Sequence, residues 1–287
     1  VSKTLRRRLE AALAWLAFAL FRLMPVDLAS AVGGRLMRLA GPRLKVSNVA
    51  RRNLAHAFPD MPRERIEAVV AEVWDNLGRV VAEFPHIDWL IHHRVEVADL
   101  QYLHLLRDDG QCGIFISAHF GNWELAGAMA GREGLPITLV YRAANNPWID
   151  DIYRKGRAAS SSGQIPKGSE GARLAVEVLR KGGHLGMLVD QKMNDGIAAP
   201  FFGRPAMTAP AVARFAVKYR CPVIPAKIER LKGAHFRMTF YPPLKLADCG
   251  DAHRDTLAAM TGINAMIEDW IRAAPGQWLW LHKRWPE

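Results

Sequence analysis

Cysteine is scarce in this chain of 287 residues: there are 3, at Cys112, Cys221 and Cys249, and no Cys-x-x-Cys pair. That excludes a disulfide scaffold and argues against a structural zinc site, which gathers thiolates at short spacing. Isolated cysteines of this kind fit a reducing compartment. Repeated apolar runs of about 20 residues are missing, which excludes a multi-span membrane protein. No Gly-x-Ser-x-Gly elbow is present, so a serine hydrolase has no nucleophile to present. Walker A, zinc-finger and RNP1-type patterns are absent as well. Internal repeats and low-complexity linkers are also lacking. The apolar poverty of a disordered chain is missing too, since 50% of residues are hydrophobic and 23% charged. Length allows one large domain or two small ones, with a substantial core and no need for metal or disulfide staples.

Acidic residues are outnumbered, 28 against 39 Lys and Arg, for a formal charge of +11. Such a field attracts polyanions: nucleic acid, an anionic membrane face, or phosphorylated and acidic substrates. The N-terminus narrows this. Arg6, Arg7 and Arg8 precede an apolar stretch from Ala11 to Phe21, which Arg22 interrupts. A signal peptide has this order, but no small-x-small cleavage site follows closely. A full span needs more residues than lie between Glu10 and Arg22, unless snorkelling arginines extend it. A helix lying in the membrane interface fits the length best. The competing reading is a buried first helix of a soluble domain. Residues 1–25 are therefore expected to associate with a membrane, with the arginines on its cytoplasmic side.

The remainder divides in two. Residues 26–108 read as a helical section: Val46 to Phe58 is apolar at helical spacing, and Arg63 to Val81 carries a stripe through Ile66, Val69, Val70, Val73 and Leu77. Near Gly110 the texture changes, and residues 109–287 alternate strands with helices. Strands are predicted at Gly113–Ser117, Pro136–Tyr141, from Ile165, at Leu185–Val189, at Val223–Ile228 and, near an edge, at Phe236–Phe240. Helices are predicted at Trp123–Gly131, Trp148–Ala159, Gly171–Arg180, Ala209–Tyr219 and Asp255–Ala274. The fold class is α/β, with a largely parallel central sheet flanked by helices, a helical N-terminal section and a membrane-associating first helix. In such sheets, sites lie at the carboxyl ends of strands.

The most informative stretch is Ser117-Ala118-His119-Phe120-Gly121-Asn122-Trp123-Glu124. His119 falls just past a buried strand, Gly121 and Asn122 supply turn and N-cap chemistry, and Glu124 sits in the first helical turn. The expectation is that His119 and Glu124 meet across that turn. The carboxylate takes one imidazole N–H and the other nitrogen is left to accept a proton. That makes a general base with no built-in nucleophile, so a substrate hydroxyl or water must attack. The plainer alternative is a strand-end His and a Glu that favours the helix dipole. No metal role is expected, because His92-His93 has no partners at ligand spacing.

At these residues the chain resembles the His-x4-Asp/Glu motif of the glycerolipid acyltransferase superfamily, and within it the lauroyl/myristoyl transferases of lipid A biosynthesis. Further blocks agree: Arg52-Asn53-Leu54, Tyr141-Arg142 with Asn145, Asp190-Gln191, Pro200-Phe201-Phe202-Gly203, Val223-Ile224-Pro225-Ala226, and Gln277 to Trp285. They run from about residue 45 to the C-terminus. The carboxylate is Glu, where the phosphoglycerolipid branch commonly has Asp. The resemblance implies transfer of a fatty acyl chain from an acyl carrier protein thioester, or acyl-CoA, to a hydroxyl of an anionic lipid acceptor, a lipid A precursor. It places the protein on the cytoplasmic face of a bacterial inner membrane. It implies no metal or redox cofactor and no nucleic-acid partner.

On that resemblance His119 is the base, Glu124 holds the imidazolium, and Arg142 serves the oxyanion or an acceptor phosphate. Asn122, Asp190, Gln191 and Arg204 are candidate substrate-binding residues, with Asp190 orienting Lys192, Arg142 or the turn backbone and Arg204 offered to phosphate. Trp278, Trp280 and Trp285 with Lys283 and Arg284 suit a membrane interface, nucleic-acid stacking or simple core packing. The acceptor stays open between a lipid A precursor and a lysophospholipid or phosphoinositide mannoside. A basic nucleic-acid-binding protein is the reading from another class.

Overall fold

The computed structural model describes residues 2–158, 163–247 and 249–285. Helix α1 (Lys3–Leu23) and α2 (Val26–Ala40) lead into α3 (Ser47–Ala57) and the long α4 (Arg63–Glu83). Ser2 caps α1, its hydroxyl accepting from the Leu5 N–H. Pro25 and Pro62 stand just ahead of α2 and α4, where a missing N–H costs nothing. Among the described side chains of α1 only Ala11 is buried, so the reading of a buried first helix fails; Leu13, Trp15, Leu16 and Leu20 are exposed. Leu28, Leu36 and Leu39 extend this bare apolar surface along α2. No helix among the described residues is long and apolar enough to cross a membrane.

α2 and α4 cross at Gly33 and Gly78. A Cβ on Gly78 would lie 2.2 Å from the Gly33 carbonyl oxygen, so the two backbones touch where side chains are absent. Nearby the Ser30 hydroxyl donates to buried Glu83 at 2.6 Å.

After α5 (Ile87–His93) the section read as wholly helical yields a strand, β1 (Val95–Ala98), and then α6 (Gln101–Asp108). The α/β part runs β2 (Gly113–Ser117), α7 (Leu125–Arg132), β3 (Ile137–Tyr141), α8 (Pro147–Ala158), β4 (Gly163–Pro166), α9 (Ser169–Arg180) and β5 (His184–Leu188). The predicted end of α8, Ala159, lies outside the described residues. A hairpin follows, β6 (Lys192–Phe201) and β7 (Arg204–Thr208), then α10 (Ala211–Tyr219), β8 (Val223–Arg230), β9 (Phe236–Phe240) and α11 (Ala252–Ala273).

The main sheet has the order β1-β9-β8-β2-β5-β3-β4. From β8 to β4 every neighbouring pair is parallel; β9 runs antiparallel to β8 and carries β1 parallel to itself. The predicted near-edge strand is thus second from the edge, and β1 ties the helical section into the sheet across the expected boundary at residue 108. Alternation sorts the side chains of β2: Ile114 and Ile116 enter a core with α4, α9, α10 and α11, while Phe115 enters one with α5, α6 and α7.

Substituting Gly78→Ala gains up to about 1 kcal/mol of helix propensity. It also drives a methyl into backbone that cannot yield, and overpacking of this kind costs about 1–3 kcal/mol. The expected outcome is a lower urea midpoint at unchanged slope; an unchanged midpoint would show that the crossing can relax.

Candidate active site

Parallel pairing sets the geometry. In the β2–β5 ladder Ser117 pairs with Leu188, and the Val189 N–H donates to the Ser117 carbonyl at 3.0 Å. Two residues beyond that last pair stand His119 and Asp190. They meet: His119 Nδ1 lies 2.8 Å from Asp190 Oδ1, and the His119 backbone N–H donates to Oδ2 at 2.9 Å. Oδ2 also accepts from Trp278 Nε1 at 2.7 Å. In the neutral ring, with Nδ1 donating to the carboxylate, Nε2 is left to accept a proton, and the Gln191 carboxamide nitrogen sits 3.3 Å from it. The imidazole is 15% exposed and the Asp190 side chain 0%. Burial alone pushes the Asp190 carboxyl up, but the charge and hydrogen bonds of His119, with the field of His282, hold it well below the usual carboxylate range.

The contact expected between His119 and Glu124 is not made. Glu124 accepts from Arg157 Nε at 2.7 Å and Arg157 Nη2 at 2.6 Å, and from Trp123 Nε1 at 3.1 Å. Its side chain joins the first turn of α7 to the last of α8. The physical reason is the register: Asp190, brought alongside from the neighbouring strand, occupies the Nδ1 side that spacing in the chain assigned to Glu124.

Asn122 is also reassigned. It is fully buried, donates to Glu83 at 2.8 Å and accepts from the Glu124 N–H at 3.3 Å, so it shapes the turn and is sealed from substrate. Glu83 in turn pairs with Arg230. Gly121 has φ of +57°, and a Cβ there would come within 2.0 Å of the Ile228 carbonyl oxygen; only glycine fits. The C-terminal segment clamps the outer side of the turn, with Phe120 bridging Trp278 and the Leu279 N–H donating to the His119 carbonyl at 3.0 Å. Trp278, Trp280 and Trp285 are core, as is Arg284, whose guanidinium lies 4.7 Å from the Phe201 ring centre. Neither membrane contact nor base stacking is open to these tryptophans.

His119 and Gln191 border a cavity of about 340 Å³ that also takes in Arg142 and Lys167. Its apolar walls include Phe84, Ile87, Phe115 and Leu139, and it passes Gly127 and Gly186, which let Leu139 pack closely. Phe115 lies four residues back along β2 from His119, a depth of roughly 13 Å at strand rise. The cavity thus has apolar walls at depth and polar side chains at its His119 end. Arg142 follows β3 directly and opens on the cavity mouth. Arg204 does not join it: it starts β7, does not line the cavity, and lies close enough to His56 to lower that imidazole's pKa. Among the described residues no group of three or more His, Cys, Asp or Glu is placed to hold a metal ion.

Sequence reasoning found Asp190 as a strand-end carboxylate but not as the partner of His119. It missed Trp278 as the partner of Asp190, and Arg157 and Lys167 as site residues. The predicted strand order, had it been fixed, would have shown the first.

The family model of bacterial lipid A biosynthesis acyltransferases matches residues 2–287. The chain belongs to that family. It is 26% identical over 270 residues to a lipid A biosynthesis palmitoleoyltransferase of Escherichia coli K12, covering 91% of this chain and 86% of the relative. To the lauroyltransferase of lipid A biosynthesis from the same organism it is 23% identical over 249 residues, 83% and 78% of the two. A phosphatidylinositol mannoside acyltransferase of Mycolicibacterium smegmatis is 24% identical over 282 residues, 93% and 88%. As a member of this family the chain is an acyltransferase.

One neighbour of the acyltransferase site carries a pH signature. His282 Nδ1 donates to the Leu279 carbonyl, and its buried Nε2 has no hydrogen-bond partner. Burial lowers its pKa from 6.5 to about 4, against the pull of Asp190. The unfolded chain therefore takes up this proton first as pH falls. Stability from keeping His282 neutral is whole above pH 6.5 and is lost on the way down to pH 4. It amounts to about 3 kcal/mol. Urea unfolding from pH 7 to 4 should show this decline, and His282→Gln should flatten it; equal declines in both proteins would discard the assignment.

Proposed function

We propose that the chain transfers a fatty acyl group from a thioester donor, acyl carrier protein or acyl-CoA, to a hydroxyl of a lipid A precursor. The observation that carries this reading is a carboxylate-braced imidazole at the mouth of an apolar cavity. The acyl chain fills the cavity, and its thioester carbonyl rests beside His119. The acceptor hydroxyl displaces the Gln191 amide from Nε2 and gives its proton there. Its oxygen attacks the carbonyl carbon, and Asp190 stabilises the imidazolium through Nδ1. The Gln191 amide N–H is within reach of the oxyanion of the tetrahedral intermediate. Collapse breaks the carbon–sulfur bond, and the departing thiolate recovers the proton from Nε2. Arg142 adds positive charge at the same mouth. The +11 balance assists encounter with an acidic carrier protein.

General-base catalysis contributes about 10²–10⁴-fold. His119→Ala and Asp190→Asn should each lose activity on that scale with unchanged circular dichroism, and full activity in the His119 variant would reject the mechanism. Glu124 acts through Arg157 in this scheme. Glu124→Ala, Arg157→Ala and the double variant should therefore lose similar activity, whereas additive losses would assign Glu124 a separate role.

The membrane reading rests on the exposed leucines of α1 and α2, since clustered exposed apolar side chains mark interaction surfaces. In this reading α1 lies in the interface at the cytoplasmic face of a bacterial inner membrane, its exposed apolar residues in the bilayer and its arginines toward anionic headgroups. Both Leu13 and Leu20 are exposed, so Leu13→Glu/Leu20→Glu should leave the fold intact and release the protein from anionic vesicles in flotation. Retained flotation would defeat this placement. The mycobacterial relative keeps a second acceptor in view, a phosphoinositide mannoside. Mass spectrometry of lipids from a deletion strain separates the two.

A further inference from the structure

The thiols play no part in the acyl-transfer scheme. Cys249 is exposed and its sulfur donates to Asp255 Oδ1 at 2.9 Å. The other two are brought together by the sheet. β2 and β8 are parallel neighbours, with Ile114 opposite Val223 and Phe115 opposite Ile224. The Ile114 N–H donates to the Pro222 carbonyl at 2.9 Å, so the ladder holds to the very start of both strands. Two positions back from the Ile114–Val223 pair stand Cys112 and Cys221, directly across from each other.

Alternation turns both cysteines to the face of Ile114 and Val223. Cys221 is buried in the core those residues build, and Cys112 packs against it. Neighbouring strands run about 4.8 Å apart, inside the Cα separation of about 4.4–6.8 Å that a disulfide spans. The two thiols also sense each other. Burial, and then the charge and hydrogen bonding of Cys112, push the Cys221 thiol up to about 12. The pair is asymmetric: Cys221 is 5% exposed, whereas Cys112 is half-buried. A dissolved oxidant therefore meets Cys112 first, and Cys221 waits beside it as a shielded thiol.

We propose that Cys112 and Cys221 are a redox modification site, which a peroxide converts to a disulfide that clasps the starts of β2 and β8. The Cys112 thiolate attacks one peroxide oxygen and breaks the O–O bond, giving a sulfenic acid and hydroxide, which takes up the thiol proton as water. The Cys221 sulfur then attacks the Cys112 sulfur. Its proton leaves with the hydroxyl as a second water, and the S–S bond is formed. The two thiols are oxidised and the peroxide is reduced. The bond closes the chain from residue 112 to residue 221, a stretch that holds β2 through α10 and, with them, His119, Arg142 and Asp190. Closing so long a loop restricts the unfolded chain. Cys112 stands seven residues ahead of His119, roughly 23 Å at strand rise, so the clasp forms at the end of β2 away from the site. It also spares Cys112 irreversible oxidation to sulfonic acid. The proposal is independent of the acyl-transfer reading.

The test uses the full chain carrying Cys249→Ser, which removes the exposed competitor. It is treated with hydrogen peroxide and digested without reductant. The expected result is one linked pair of peptides containing Cys112 and Cys221, and an intact mass lower by about 2 Da. The thermal midpoint should rise by about 5 °C and fall back when dithiothreitol is added. With Cys221→Ser added, peroxide should instead add oxygen to Cys112 and leave the midpoint no higher. Oxygen added to Cys112 while Cys221 stays a free thiol, or bridges between chains only, overturns the site. A linked pair with an unchanged or lowered midpoint overturns the clasp.

Discussion

The site depends on the register of two parallel strands. A shift of one residue between β2 and β5 would turn either His119 or Asp190 to the opposite face of the sheet, because side chains alternate. The register is held by burial on both faces: Phe115 locks β2 into one core, while Ile114, Ile116 and Leu185 lock both strands into the other. Packing that appears remote from chemistry thus sets a 2.8 Å contact between an imidazole and a carboxylate. Asp190 itself would be costly to bury unpaired. Its two oxygens receive the His119 ring, the His119 backbone and the Trp278 indole, so the charge is kept and the ring orientation is fixed.

A second buried charge braces the same turn from below. Glu83, at the end of α4, receives Ser30 of α2, Asn122 of the turn and Arg230 at the end of β8. Arg230 also donates to Asn76, and the Gln277 side chain bonds the Arg230 backbone in both directions. This network joins the helical section, the sheet and the C-terminal segment at one point under Gly121. Removing one partner would leave buried charge exposed to nothing, at a cost of several kcal/mol. The helical section is therefore part of the framework that holds the candidate site and not an appendage to it.

The sequence made the sheet's strand ends legible because short apolar runs closed by turn residues alternate with helical periodicity. His119, Arg142 and Asp190-Gln191 all fall just beyond such runs, where crevices form. Pairings across strands were beyond its reach. Glu124, five residues from His119, looked like its partner because chain proximity is visible in a sequence; Asp190, 71 residues away, wins because ladders bring distant residues together. β1 went unseen because four residues of Val-Glu-Val-Ala give too short an alternation inside helical surroundings. The β6–β7 hairpin was hidden by its turn, where Phe202 takes a positive φ of 50° that a sequence reader expects of Gly or Asn. An edge-to-face contact with Phe58, a tilted contact with Trp280, and a hydrogen bond from its N–H to Glu268 hold it there.

In the proposed mechanism a base without its own nucleophile can pass an acyl group to water as readily as to a lipid, so the surroundings must decide. α8 carries that decision. One side of it, through Tyr153, Gly156 and Arg157, walls the cavity. The other, through Trp148 and Ile152, faces Trp15 and Phe18 of α1 across a shallow groove. The proposed acyl chamber and the proposed membrane face are thus two sides of one helix, latched to the His119 turn by the Glu124–Arg157 pair. In the proposed placement, α1 seated in a bilayer would bring the cavity close to hydrocarbon and its mouth to the level of headgroups. There hydroxyls on lipid are concentrated in the plane, while the apolar walls limit the water that reaches the thioester.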